Sequence, residues 1–216
     1  NGQKPEILDP IITPYGVSDY RNSITQALRQ TADGVFNATY GGDAITMFQQ
    51  ARGFGLANRY KVIVDAANEF LVARGMKQQV PAHWTGMHYY PAANKGNPIS
   101  DQFIADYSAK TKDSEPLGWA AEAHAGIYAL KHAIEKGKSA DTKAVIANLK
   151  GLTWDSVTGK RYMRPEDNQT IKDTELVYIE PADNPKGYTV KEYVKVDGKS
   201  VIFPPRPGQK LQLRKA

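Results

Sequence analysis

Apolar residues fall first into short blocks that alternate with helical spacings, and from Leu152 onward into strand-like alternation. Residues 34–40, with Val35, Phe36, Thr39 and Tyr40, have the make-up of a half-buried strand. Gly41-Gly42 breaks that strand, and Asp43 is placed to cap a helix. In it Ala44, Ile45, Met47, Phe48 and Ala51 recur at spacings of three and four. Arg52 suits the carboxyl end of that helix, and Gly55 the left-handed position after it. Strand, glycine turn and helix make half of a βαβ unit. Upstream, residues 5–15 read as a strand entering a loop. Ser18-Asp19 cap a helix over 20–30 that turns Ile24, Ala27 and Leu28 inward. Downstream, YKVIV at 60–64 is the β-branched run of a strand covered on both faces, with Asp65 at its carboxyl end. A short helix over 68–74, ending at Gly75, completes an alternation that predicts a parallel sheet.

Residues 80–90 read as a strand that leaves this sheet, and 91–98 as a crossing loop. A helix over 100–110 turns Phe103, Ile104 and Tyr107 inward. The longest helical pattern spans 119–136, with Ala123, Ile127, Leu130 and Ile134 on one stripe. Asp141 caps a further helix over 142–149. Successive helices without a strand predict that the chain is packing on a different body. The last third is β: 153–154 and 161–163 flank a turn at Thr158-Gly159, and 174–179 and 188–196 alternate. Asp197-Gly198 reads as a hairpin turn into a strand over 200–203, and the prolines from Pro204 end regular structure.

Composition narrows the chemistry. With 41% hydrophobic and 24% charged residues the chain is that of a soluble globular protein. Its apolar runs fall short of the ~18 residues of a membrane span. Cysteine is absent, which excludes thiol catalysis, cysteine-ligated zinc and disulfides. The net charge is +5, but the basic residues are scattered apart from a local excess at Arg206, Lys210, Arg214 and Lys215. The charge therefore reads as solvated surface, and nucleic acid is not an expected partner. Gly41-Gly42 lacks both the GxGxxG spacing and a following Lys-Ser or Lys-Thr, so it reads as a tight turn and not a phosphate cradle. His83, His88, His124 and His132 form neither HExxH nor an i, i+4 pair, and there is no GxSxG. No catalytic residue, metal or cofactor is expected. The opening Asn1-Gly2-Gln3-Lys4 reads as the start of a processed or truncated chain.

Four segments, in this order, resemble the type I periplasmic substrate-binding proteins of ABC importers, in the branched-chain amino acid (Leu-Ile-Val-binding) group. They are YGGDAITMFQQARGFGL at 40–56, MHYYPAANKGNPISDQFIADY at 87–107, the helix pair over 119–149 with AIEKGKSADTKAVIANL, and TGKRYMRPEDNQ at 158–169. The resemblance implies an α/β fold of two hinged lobes, each a Rossmann-like parallel sheet with flanking helices, with most of the first lobe absent from this chain. Residues 1–85 would begin the second lobe, 86–150 would be a returning segment of the first, and 151–216 would finish the second with a β-rich end. It also implies a periplasmic solute carrier that hands its ligand to the membrane subunits of an importer. The ligand would be a branched-chain or aromatic amino acid, or a related small carboxylate or amide, held in an interlobe cleft. A ligand-sensing domain of the same fold is the alternative, and an α/β enzyme a more distant one.

Four residues are the expected ligand contacts. Tyr40 lies where the family places an aromatic side chain beside the ligand. Asp65 lies one position from the carboxylate that meets a ligand ammonium group; its other reading is a helix cap or a solvated loop acid. If it does not reach the ligand, a ligand lacking an amine is favoured. Tyr89 and Tyr90 point in opposite directions in an extended chain, so one of them, taken as Tyr89, would face the ligand. Trp119 opens the long helix, where it would cover an apolar ligand group. Glu122 reads as a solvated helix residue.

Overall fold

The computed structural model describes residues 4–205. Their contacts gather into two compact units, residues 4–86 with Val177–Tyr193, and Met87–Leu176 with 194–205.

In the first unit, residues 5–15 form no strand. The first element is α1 (Arg21–Arg29), whose Ile24 is buried. It leads to β1 (Gly34–Asn37), α2 (Gly42–Gly53), the single turn α3 (Leu56–Arg59), β2 (Val62–Asp65), α4 (Leu71–Met76) and β3 (His83–Met87). β1 and β2 pair in parallel, as do β2 and β3. Residues 83–87 therefore stay in the sheet as its central strand, in the order β1-β2-β3-β7-β8 with β7 at Thr174–Pro181 and β8 at Tyr188–Val196, and the chain passes to the second unit from Met87. β2 is not covered along its whole length, since Val62 is 45% exposed. Opposite it stands Gly34, which has no side chain to shield it.

The cap of α2 also departs from expectation. Gly41, at φ 61°, holds the cap position. Asp43 lies in the first turn, where its carboxylate suits the helix dipole and accepts a hydrogen bond from Gly16 N at 2.8 Å. Gly55 does take the left-handed conformation beyond the helix, and its N–H reaches Arg52 O at 3.1 Å.

The second unit begins with α5 (Pro98–Thr111), α6 (Gly118–Gly137) and α7 (Thr142–Leu149). Asp141 caps α7 by accepting from Lys143 N and Ala144 N. β4 (Thr153–Ser156), β5 (Gly159–Met163) and β6 (Thr170–Ile171) make an antiparallel three-stranded sheet, folded at the expected turn. β7 (Thr174–Pro181) and β8 (Tyr188–Val196) follow. Asp197 then caps a turn of helix, α8 (Gly198–Val201), by accepting from Lys199 N, where a hairpin and strand are predicted.

α6 buries a face other than the predicted one. Ala121, Ala125, Ala129 and Ala133 are buried, while Ile127, Leu130 and Ile134 are 64%, 43% and 37% exposed. Alanine lets the neighbours come close: the Trp154 indole N–H donates to Ala125 O at 3.1 Å. This contact, with Arg161 on Glu122, gathers β4 and β5 with the helices of the second unit. The expected boundary at residue 151 therefore does not mark a return to the first body. The basic residues from Arg206 onward lie outside the described residues.

Candidate functional site

In open α/β sheets, ligands meet the loops that follow the carboxyl ends of the strands. In the first unit these are residues 38–41 after β1 and 66–70 after β2. One buried amide joins them. Asn68 accepts from Gly41 N at 2.9 Å and donates to Thr39 O at 3.0 Å. It thus holds both neighbours of Tyr40, which is 40% exposed. Asn37, at the end of β1, accepts from Thr39 N and from Thr39 Oγ1, and its buried amide nitrogen lacks a hydrogen-bond partner. Beyond the loop, α2 starts with no side chain capping its N–H groups. The 66–70 loop carries two non-glycine residues of positive φ, Ala67 and Glu69, both at 55°. Such conformations persist where surrounding contacts over-determine them.

Asp65 ends β2 but is 2% exposed, so its carboxylate is turned into the unit. Oδ1 accepts from Thr85 Oγ1 and from Asn68 N, and Oδ2 lies 3.4 Å from His83 Nε2. A carboxylate so engaged is a buried structural acid, not a solvated one. The strand pairing is the reason: Asp65 stands opposite Thr85 in the β2–β3 register, on the buried side of both strands.

Tyr89, expected at the ligand, is fully buried. Its hydroxyl shares a 2.6 Å hydrogen bond with Ser100 Oγ, and its ring meets Phe103 edge-on. Burial pushes its pKa up. The ring is packing, set by α5. Trp119 is 49% exposed in the first turn of α6, with its ring centroid 4.3 Å from that of His88. Of the four expected contacts, the structure thus leaves Tyr40, in the first unit, and Trp119, in the second, at the surface.

Glu122 is no solvated acid. It bonds Arg161 through both oxygens, at 2.5 and 2.9 Å, and Lys172 at 2.9 Å. Burial raises its pKa, but the two cations outweigh burial and hold it below the ordinary glutamate range. Arg161 also donates to Ser156 Oγ and Thr158 Oγ1. Glu122, Arg161 and Lys172 border a groove of about 370 Å³ in the second unit, with Gly126, Leu130 and Trp154 on its apolar side. Burial lowers the pKa of His124, which stacks on Tyr128. Among the described residues, no group of three or more His, Asp or Glu could hold a metal. None of their helices is long and apolar enough to cross a membrane.

Sequence reasoning did not single out Asn37, Asn68, Thr85, Arg161 or Lys172. Asparagine at or just after a strand end was the available signal for the first two.

The family model described as periplasmic binding protein matches residues 2–185. The chain belongs to that family. No curated protein matches it. Among solved structures, it is similar to an ABC-type branched-chain amino acid transporter protein from Rhodopseudomonas palustris, with 17% identity, 91% of this chain, 53% of that one and a TM-score of 0.70. It is similar also to a solute-binding protein of an ABC transporter from the same species in complex with 3,4-dihydroxybenzoic acid, with 20% identity, 83% and 49% coverage and a TM-score of 0.66. A third is a leucine-binding protein from Thermotoga maritima, with 16% identity, 88% and 52% coverage and a TM-score of 0.70. At these identities the likeness establishes the fold, which is that of the type I periplasmic binding proteins. The chain spans about half the length of these solved relatives.

Proposed function

We propose that this chain is part of the solute-binding component of an ABC importer, acting outside the cytoplasm, and that its solute is a small organic carboxylate that need not carry an amino group. The observation that carries the choice of solute is Asp65: its carboxylate is buried and bonded to Thr85 and Asn68, so it is not free to neutralise a ligand ammonium. The relative solved with 3,4-dihydroxybenzoic acid carries such a ligand. Tyr40 and the unpartnered amide nitrogen of Asn37 provide an aromatic face and a donor at the end of β1. Trp119 is the candidate contact in the second unit. Binding would bias a conformational equilibrium that the importer's membrane subunits read.

The test is a thermal-shift screen of the protein with leucine, phenylalanine, their deaminated analogues and 3,4-dihydroxybenzoate. A ligand at 100 times its Kd stabilises by about 2.7 kcal/mol, enough for a clear shift. The expected result is a shift with the amine-free acids. A shift confined to the amino acids would overturn the choice of solute.

A further inference from the structure

Beneath the two strand-end loops lies a buried polar set that no proposed ligand contact uses. Thr85 and His83 are two residues apart on β3 and fully buried on the same side, facing Asp65 across the strand pair. Thr85 Oγ1 donates to Asp65 Oδ1 and accepts from Glu69 N at 3.0 Å. Asp65 Oδ1 also accepts from Asn68 N at 3.2 Å. The two acceptors thus take up successive amides of the strained 66–70 loop. Gly86 admits the loop to β3: a Cβ there would stand 3.3 Å from that of Ala67. Asn68 carries the constraint onward to Thr39 and Gly41, on either side of Tyr40.

His83 closes the set from below. Its Nδ1 lies 2.8 Å from Pro81 O, a group that can only accept, so Nδ1 bears a proton. Nε2 then faces Asp65 Oδ2 at 3.4 Å, and neither atom has a hydrogen-bond partner.

From this arrangement we infer that Asp65 is a positioning residue for the ligand. Together with Thr85 and His83 it fixes the 66–70 loop and, through Asn68, the place of Tyr40, without touching the solute. The inference rests on the solute-binding function proposed above, in which Tyr40 meets the ligand.

Three variants of the protein test it: Asp65→Asn, Thr85→Val and Thr85→Ser. Two readouts are taken, the Kd for 3,4-dihydroxybenzoate, leucine and its deaminated acid, and amide hydrogen exchange at Gly41, Asn68 and Glu69. Asparagine at 65 keeps the Oδ1 acceptor and supplies an N–H to His83 Nε2. As the conservative replacement it is expected to weaken all three probes alike, by no more than about threefold, with no preference against leucine. Valine at 85 removes the acceptor for Glu69 and the donor to Asp65. It is expected to weaken binding by about tenfold or more and to speed exchange as far away as Gly41, and serine is expected to restore both. The inference is overturned if Asp65→Asn weakens leucine alone by tenfold, which would make the carboxylate a direct ammonium contact. It is overturned too if Thr85→Val leaves exchange at Gly41 and Asn68 unchanged. If Thr85→Val does not fold, Asp65→Ala, which removes the Oδ1 acceptor, takes its place: it is expected to weaken all three probes alike and to speed exchange at Asn68 and Gly41, and unchanged exchange there overturns the inference. If none of the probes binds wild type, the proposed solute fails, and the exchange data alone decide the positioning role.

Discussion

Asp65 and Glu122, one in each unit, are two acids that the chain stabilises in opposite ways. The Asp65 side chain is fully buried, and its partners are a hydroxyl, a backbone amide and a histidine. The Glu122 side chain is 26% exposed and is held by two cations. The first arrangement is directional: Oδ1 accepts from two groups of the neighbouring strand and loop, while Oδ2 faces the histidine at 3.4 Å. The second sets one carboxylate against two cations, Arg161 through a two-point hydrogen bond and Lys172 beside it, and joins α6 to β5 and to Lys172. An acid at an element's end is thus not, by its type or place, a ligand contact. What surrounds it decides whether its charge is spent on the fold.

The contrast can be broken most directly at Arg161. Arg161→Ala would leave Glu122 half-buried with Lys172 alone and remove one hydrogen bond from each of Ser156 and Thr158. It is expected to destabilise by about 3 kcal/mol in urea denaturation. A cost below that of an exposed pair would mean that the two acids do not differ in kind. The next largest effect concerns the two faces of the helix that presents Glu122. Ala133→Leu overpacks the buried face and is expected to cost about 2 kcal/mol. Ile127→Ser, on the exposed face, should change stability by less than about 0.5 kcal/mol. Equal costs on thermal unfolding would show that the exposed stripe is covered in solution. The smallest change expected is in pH dependence. Because the folded protein holds the Glu122 carboxyl below its ordinary value, the pair adds stability above about pH 4.3, which is lost as pH falls through the folded value. Glu122→Gln should therefore lose less of its melting temperature than wild type between about pH 6 and pH 3. Parallel curves would remove Glu122 from the acid response.

The local signals were legible in the sequence. The strand, glycine turn and helix at 34–53, the left-handed Gly55, the Asp141 cap and the turn at Thr158-Gly159 each depend on residues within a few positions of one another. What failed depends on partners distant in the chain. Whether Asp65 faces ligand or core is set by Thr85 across the β2–β3 register, twenty residues on. The inward face of α6 is set by Trp154 reaching Ala125, and periodicity, which favours the bulkier stripe, selected the wrong side. The sequence suggested that 80–90 leave the sheet because its aromatic residues and the prolines after it look like a crossing. Parallel pairing with β2, which no local pattern encodes, keeps β3 inside.

The row of alanines on α6 has a consequence for how one helix serves two neighbourhoods. Residues four apart on an α-helix are offset by about 40°, so Ala121, Ala125, Ala129 and Ala133 trace a line that winds about 120° around the axis over roughly 18 Å. A straight partner could not follow it. Ala121 accordingly belongs to the cluster of Tyr89, Phe103 and Val157, and Ala129 and Ala133 to that of Leu152 and Trp154. The pitch of the row hands the helix from one cluster to the other, and the methyl side chains keep that handover free of bulk.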